Sequence, residues 1–144
     1  MLKLNNVSIR FGDISAVDGF TTEIPVGKIT ILAGPDGAGK SSLIRMLIGL
    51  VARSRGELSW QGRTIDKDFR PITRIVGYMP ERFSLYSDLS VAENLQFFGR
   101  IHGLSGNEIS RRSRDLLDRT GMSAFTARRA GQLSGGMKQK LALS

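Results

Sequence analysis

The octet Gly34-Pro35-Asp36-Gly37-Ala38-Gly39-Lys40-Ser41 fits the spacing G-x4-G-K-[ST]. The chemistry of that spacing is phosphate recognition. Glycines let the backbone curl into a nest of N–H donors, and the following helix turns its positive end toward the same space. Lys40 stands where an ammonium reaches the β- and γ-phosphates, and Ser41 where a hydroxyl ligates Mg2+. This pattern alone does not choose among kinases, GTPases, motor ATPases and transporters.

A second glycine-rich helix start lies 94 residues beyond Lys40. In Leu133-Ser134-Gly135-Gly136-Met137 the serine is placed to cap a helix, and two glycines leave its first amides uncovered. By itself the segment is either another anion site or an ordinary glycine-rich helix start.

The elements that must position these residues follow from periodicity. KITILAG (28–34) reads as a buried strand, apolar at Ile29, Ile31, Leu32 and Ala33, that runs into the glycine loop. The helix expected from about Lys40 places Leu43, Ile44, Leu47, Ile48 and Leu50 on its apolar face. LKLNNVSI (2–9), the run from Phe20 to Ile24, ELSW (57–60) and ITRIVGYM (72–79) read as further strands. After Pro80 the character turns helical. Ser90 with Glu93 and Ser105 with Glu108 form two capping boxes, predicting helices to about His102 and to near Gly121.

The bulk properties bound the class. The chain has 144 residues, 40% hydrophobic, which suits a domain with a core and excludes a disordered chain. It has no cysteine, hence no disulfide framework and no thiolate metal site. The longest apolar stretch, 43–52, is short and interrupted by Arg45, and the first residues lack the apolar core of a signal peptide. A cytosolic type of chain is expected. The net charge of +8 is uneven: residues 1–99 carry 12 basic and 10 acidic side chains, residues 100–144 nine and three. The excess gathers at Arg111, Arg112, Arg114, Arg128 and Arg129 without interleaved aromatic residues, which fits a solvated helix face and argues against nucleic acid.

Taken together, GPDGAGKSS, YMPERFSLYSDLSVAENLQFF and LSGGMKQKL resemble the ATP-binding subunits of ABC transporters. The wording is most similar to the ABC-2-type and multidrug exporter branch. The resemblance implies an α/β fold, a P-loop NTPase of the ABC nucleotide-binding type, truncated. Residues 1–81 would form the β-subdomain and the start of a RecA-like core. Residues 82–132 would form the α-helical subdomain, and 133–144 the signature motif with the start of its helix.

The same resemblance implies roles residue by residue. Phe11 stands where an aromatic ring stacks on adenine, and Val17 where an aliphatic side chain packs against the nucleoside. On residue type alone Phe11 is first a strand-end core residue. Nucleotide binding would extend over Gly34, Pro35, Asp36, Gly37, Ala38, Gly39, Lys40, Ser41 and Ser42; Asp36 and Ser42 replace the commoner Asn and Thr. Catalytic roles fall to Lys40 and Glu81, and Mg2+ ligation to Ser41 and Glu81. Glu81 departs from the family's glutamine and adds a negative charge near the γ-phosphate. Ser134, Gly135 and Gly136 would act in trans, on ATP bound to a second nucleotide-binding domain, in a C2-like homo- or heterodimer.

The partners so implied are ATP with Mg2+, a second such domain, and a transmembrane permease met by segment 82–99. The place implied is cytoplasmic, peripheral on the inner face of the cell membrane, and the activity is substrate export driven by ATP hydrolysis. The family's aspartate strand, catalytic glutamate and switch histidine would follow residue 144. His102, the lone histidine, is not expected to be the switch. The chain is therefore expected to bind nucleotide without efficient hydrolysis, and to expose an apolar sheet edge. The competing readings are a soluble ABC ATPase of translation or DNA repair, and a catalytically incomplete nucleotide-binding fragment.

Overall fold

Asn5 and Asn6 interrupt an otherwise regular alternation in the first strand, and the fold shows what they do. A computed structural model describes residues 1–80 and 84–143. Strand β1 (Leu2–Phe11) buries Leu2 and Leu4, then Val7 and Ile9, so the buried set changes phase by one residue between them. The register shifts at that point, with Asn6 at φ 51°, and the extra residue returns Val7 and Ile9 to the core face. Without the bulge one pair or the other would face solvent.

The chain divides into two units, Met1–Gly77 and Tyr78–Ser144. In the first, β1 pairs antiparallel with β2 (Ile14–Ile24) on one side and β3 (Arg55–Trp60) on the other. A short β4 (Arg63–Thr64) closes the order β2-β1-β3-β4. Leu4 faces Leu58 across the β1–β3 pair, and Leu43 and Met46 of α1 (Lys40–Leu47) pack onto that apolar face with Ile65 and Ile72.

Three expectations are corrected. Residues 28–34 form no strand, and Ile29 is 94% and Ile31 82% exposed. Apolar side chains do not make a strand where no neighbouring backbone supplies the ladder hydrogen bonds, and among the described residues none does. Residues 72–79 are likewise unpaired. They begin inside α2 (Arg70–Thr73), where Pro71 occupies the first turn and Ile72 turns into the core. Finally, α1 ends at Leu47 and buries Leu43 and Met46, whereas Ile44 and Leu50 stay exposed.

The second unit follows its local signals closely. Both capping boxes form: Ser90 opens α3 (Val91–Ile101) and Ser105 opens α4 (Gly106–Thr120), with Gly121 in the left-handed conformation ending α4. Two 3-10 turns, at Ser123–Phe125 and Ala130–Gln132, lead to α5 (Gly135–Leu143). Val91, Leu117, Met122, Ala130, Leu133 and Leu141 form the core of this unit. The arginines of α4 face water, Arg111 near Asp115 and Arg112 near Glu108, both at 3.9 Å.

The capping glutamates make acid stability a test of these helices. Glu93 accepts from Ser90 N at 2.7 Å and Glu108 from Ser105 N at 3.1 Å. The Ser90 backbone bond holds Glu93 below the usual carboxylate range, and the Ser105 side-chain bond does so for Glu108. Both pKa values are lowered on folding, so their stabilisation is complete above the unfolded value of about 4.3 and is lost as pH falls through the folded values. The urea midpoint should therefore fall on acidification in that window. A Glu93→Gln, Glu108→Gln double variant should show a flatter acid limb; an unchanged limb would remove the boxes as its cause.

Candidate functional site

Gly39 decides the local geometry of the glycine loop. It is the N-cap of α1 at φ 80°, a left-handed conformation that disfavours side chains, and Gly37 is similar at φ 82°. A Cβ at Gly39 would overlap the Ala16 carbonyl and lie 2.8 Å from Val17 Cγ2. The loop therefore rests directly on β2. Because Gly39 has no side chain to cap with, the first-turn N–H groups of Lys40, Ser41 and Ser42 stay open to an outside acceptor. Those donors and the helix dipole favour an anion at this end.

Lys40 folds back over the loop. Its Nζ donates to the Gly34 carbonyl at 2.9 Å and to the Pro35 carbonyl at 2.7 Å, while Ala38 N donates to Pro35 O at 3.3 Å. The ammonium is thus held against the start of the loop, on exposed bonds that an incoming phosphate can outcompete. Asp36, Ala38 and Ser41 are exposed and Ser42 is half-buried.

For Mg2+ the described residues of the loop offer the exposed hydroxyl of Ser41. Among the described residues no group of three His, Asp or Glu side chains could hold a metal. That donor set fits an ion carried in on phosphate oxygens and water, not one caged by the protein.

The other expected residues fall as follows. Val17 lies beside Gly39 and packs on the sheet core, so the structure brings it to the loop. Phe11 ends β1 at the tip of the β1–β2 hairpin, opposite Ile14, and is half exposed. Its ring is therefore not the buried core residue that its type suggests. Glu81 lies outside the described residues. In the second unit Ser134 caps α5: its Oγ accepts from Met137 N at 3.3 Å and its carbonyl from Lys138 N at 2.9 Å. Gly135 and Gly136 are exposed, with open space beside both.

Two supporting residues escaped the sequence reading. Ala16 backs the loop through its carbonyl, for which no side-chain pattern exists. Asn94, 1% exposed, accepts from Tyr86 N at 2.9 Å and donates to the carbonyls of Tyr86, Leu89 and Ser90 at 3.0, 3.2 and 2.9 Å. It fixes the turn that presents Tyr86 against Phe97, whose rings meet edge to face at 4.7 Å. The available signal was a lone amide within the apolar stripe of α3.

A sequence profile of ABC transporters matches residues 17–144. The chain belongs to the ABC transporter family. It is 40% identical over its whole length to a probable multidrug ABC transporter ATP-binding protein of Escherichia coli (strain K12), YbhF, covering 25% of that protein. It is 33% identical to an uncharacterized ABC transporter ATP-binding protein of Bacillus subtilis (strain 168), YhaQ, over 98% of this chain and 46% of that one. The solved ATP binding subunit of an ABC transporter superposes with a TM-score of 0.82 at 29% identity, over 99% of this chain and 60% of the other. The cbiO1 protein of Clostridium perfringens, part of the ABC transporter complex cbiONQ, does so with a TM-score of 0.77 at 25% identity, over 99% and 59%. The chain thus spans between a quarter and about half of these sequence relatives, and its fold is that of part of an ABC ATP-binding subunit. No described helix is long and apolar enough to cross a membrane.

Proposed function

We propose that this chain binds ATP at Gly34–Ser42 and serves an ABC transporter as part of its ATP-binding subunit, with export as the direction of transport. The observation that carries the reading is the glycine loop itself: a left-handed Gly39 seated on Ala16, open first-turn amides, and the Lys40 ammonium folded back on the Gly34 and Pro35 carbonyls. In this reading Lys40 leaves the Gly34 and Pro35 carbonyls for the β- and γ-phosphate oxygens, and the amides of Lys40, Ser41 and Ser42 close around the phosphates. The Ser41 hydroxyl, with Glu81, would hold Mg2+, which when bound offsets the charge on the phosphates. Hydrolysis belongs to the complete domain, and this chain contributes the positioning of the nucleotide.

Ser134, Gly135 and Gly136 would meet ATP held by the loop of a second domain, since all three are exposed at the start of α5, with open space beside both glycines. The permease would be met by segment 82–99, where Tyr86 and Phe97 expose their rings. The protein would then work at the inner face of the cell membrane. Titration with a fluorescent ATP analogue tests the central step. Saturable binding displaced by ATP and not by AMP supports it, and an AMP-sensitive or absent signal sinks it.

Phe11 allows a separate check on the base. If its ring stacks on adenine, Phe11→Ala should cost about 1–3 kcal/mol of ATP affinity, by analogy with aromatic stacking on bases. The strand pairing of β1 with β2 should survive, because the side chain is half exposed. A variant that stays folded and binds ATP normally removes the stacking role.

A further inference from the structure

The helix that presents Ser134, Gly135 and Gly136 is tied down near its far end. On α5, Leu141 is buried, whereas Gly135 and Gly136 face open space. Beside Leu141, Lys140 donates its Nζ to the Thr120 carbonyl at 2.9 Å, across 20 residues of chain. Thr120 is the last residue of α4, so its carbonyl is one of the terminal acceptors that a helix leaves without an internal partner. The local cap is spent on its neighbours. Gly121 N goes to Asp118 O, Met122 N to Leu117 O, and the Thr120 hydroxyl to Leu116 O at 2.7 Å. The lysine adds a donor from another helix and a positive charge at the negative end of the α4 dipole.

We propose that Lys140 is a positioning residue for the Ser134–Gly136 site, setting the direction of α5 by docking its ammonium on the terminal carbonyl of α4. This rests on the reading that Ser134–Gly136 act on a nucleotide held by a second domain. Leverage explains why one contact matters. A helix with its side chains has a radius of about 5–6 Å, so a roll of roughly 20° about its axis displaces groups on its exposed side by about 2 Å. A shift of that size breaks a hydrogen bond at the exposed end while leaving Leu141 in the core. Leu133, Met137 and Leu141 seat α5 on the core along one line, and Lys140 removes the freedom to turn about that line.

The chain has no cysteine, so two spin labels can be placed cleanly at Asn107→Cys on α4 and Gln139→Cys on α5, both exposed positions. The distance distribution between them should be single and narrow in the otherwise unchanged chain. It should lose that narrow peak in Lys140→Met at unchanged far-UV helicity, and recover it in Lys140→Arg. Lys140→Gln, whose amide is too short to reach, provides the same comparison should the methionine variant fail to fold. A parental distribution in Lys140→Met or Lys140→Gln, or no recovery in Lys140→Arg, overturns the proposal.

A second measurement separates positioning from bulk damage. Lys140→Met should weaken ATP-dependent association of two copies in sedimentation, with the affinity of each copy for a fluorescent ATP analogue unchanged. Equal loss of both overturns the positioning role. If Ser134→Ala leaves ATP-dependent association untouched, or if no such association occurs, the reading of Ser134–Gly136 fails instead. The spin-label distances then judge Lys140 alone.

Discussion

Lys40→Ala is expected to lower ATP affinity by about tenfold or more, the largest functional effect available from one side chain of this protein. Hydrogen bonds to a charged group contribute about 1.5–3 kcal/mol each, and about 1.4 kcal/mol is one factor of ten. Without phosphate, Nζ donates to the Gly34 and Pro35 carbonyls, so part of its binding energy is already used within the loop. The net loss is therefore set by one strong charge-assisted bond beyond the two it gives up. Both loop carbonyls are exposed and can turn to water, so folding should be unaffected and the urea midpoint unchanged. Isothermal titration with ATP and Mg2+ reads the effect. Affinity within twofold of the parent chain would remove Lys40 from the phosphate site.

The largest effect on stability is expected at Asn94. Its side chain makes four hydrogen bonds in a position with 1% exposure, and all four go to the turn at Tyr86–Ser90. Asn94→Ala leaves a cavity and takes the side-chain acceptor from Tyr86 N. An unsatisfied buried group costs about 1–3 kcal/mol, and the lost packing adds to it, so roughly 2–4 kcal/mol is expected in all. Asn94→Asp should be no milder, because it points a carboxylate at three carbonyl oxygens. Chemical denaturation gives the magnitude. Faster amide exchange at Tyr86 would locate the damage in the turn, and a change below about 0.5 kcal/mol would show the turn to be held by other contacts.

The difference between what was legible and what was not follows sequence separation. The capping boxes at Ser90 and Ser105 were readable because cap and glutamate lie three residues apart and any helix start brings them together. The glycine loop was readable for the same reason: Gly37, Gly39, Lys40 and Ser41 are neighbours, and the left-handed turns at the two glycines need only the local freedom of glycine. Strand assignments were right where a partner exists, as in β1 with β2 and β3. They were wrong at 28–34 and 72–79, where residue type is the only support. Hydrophobic pattern measures a wish to be buried and says nothing of which backbone supplies the ladder.

The sequence by itself therefore determined the glycine loop, the helix starts that frame Ser134 and the two capped helices, and with them the ABC transporter family. The loop and the helix starts rest on groups within a few residues of one another, and the family on the order of such segments along the chain. Tertiary structure alone decided that Ala16 and Val17 form the seat of Gly39, that Asn94 holds the turn at Tyr86, and that Lys140 reaches Thr120. Each of these contacts joins residues separated by 8 to 23 positions, and the geometry that closes such a gap is set by the packing of whole elements, not by the residues at its ends.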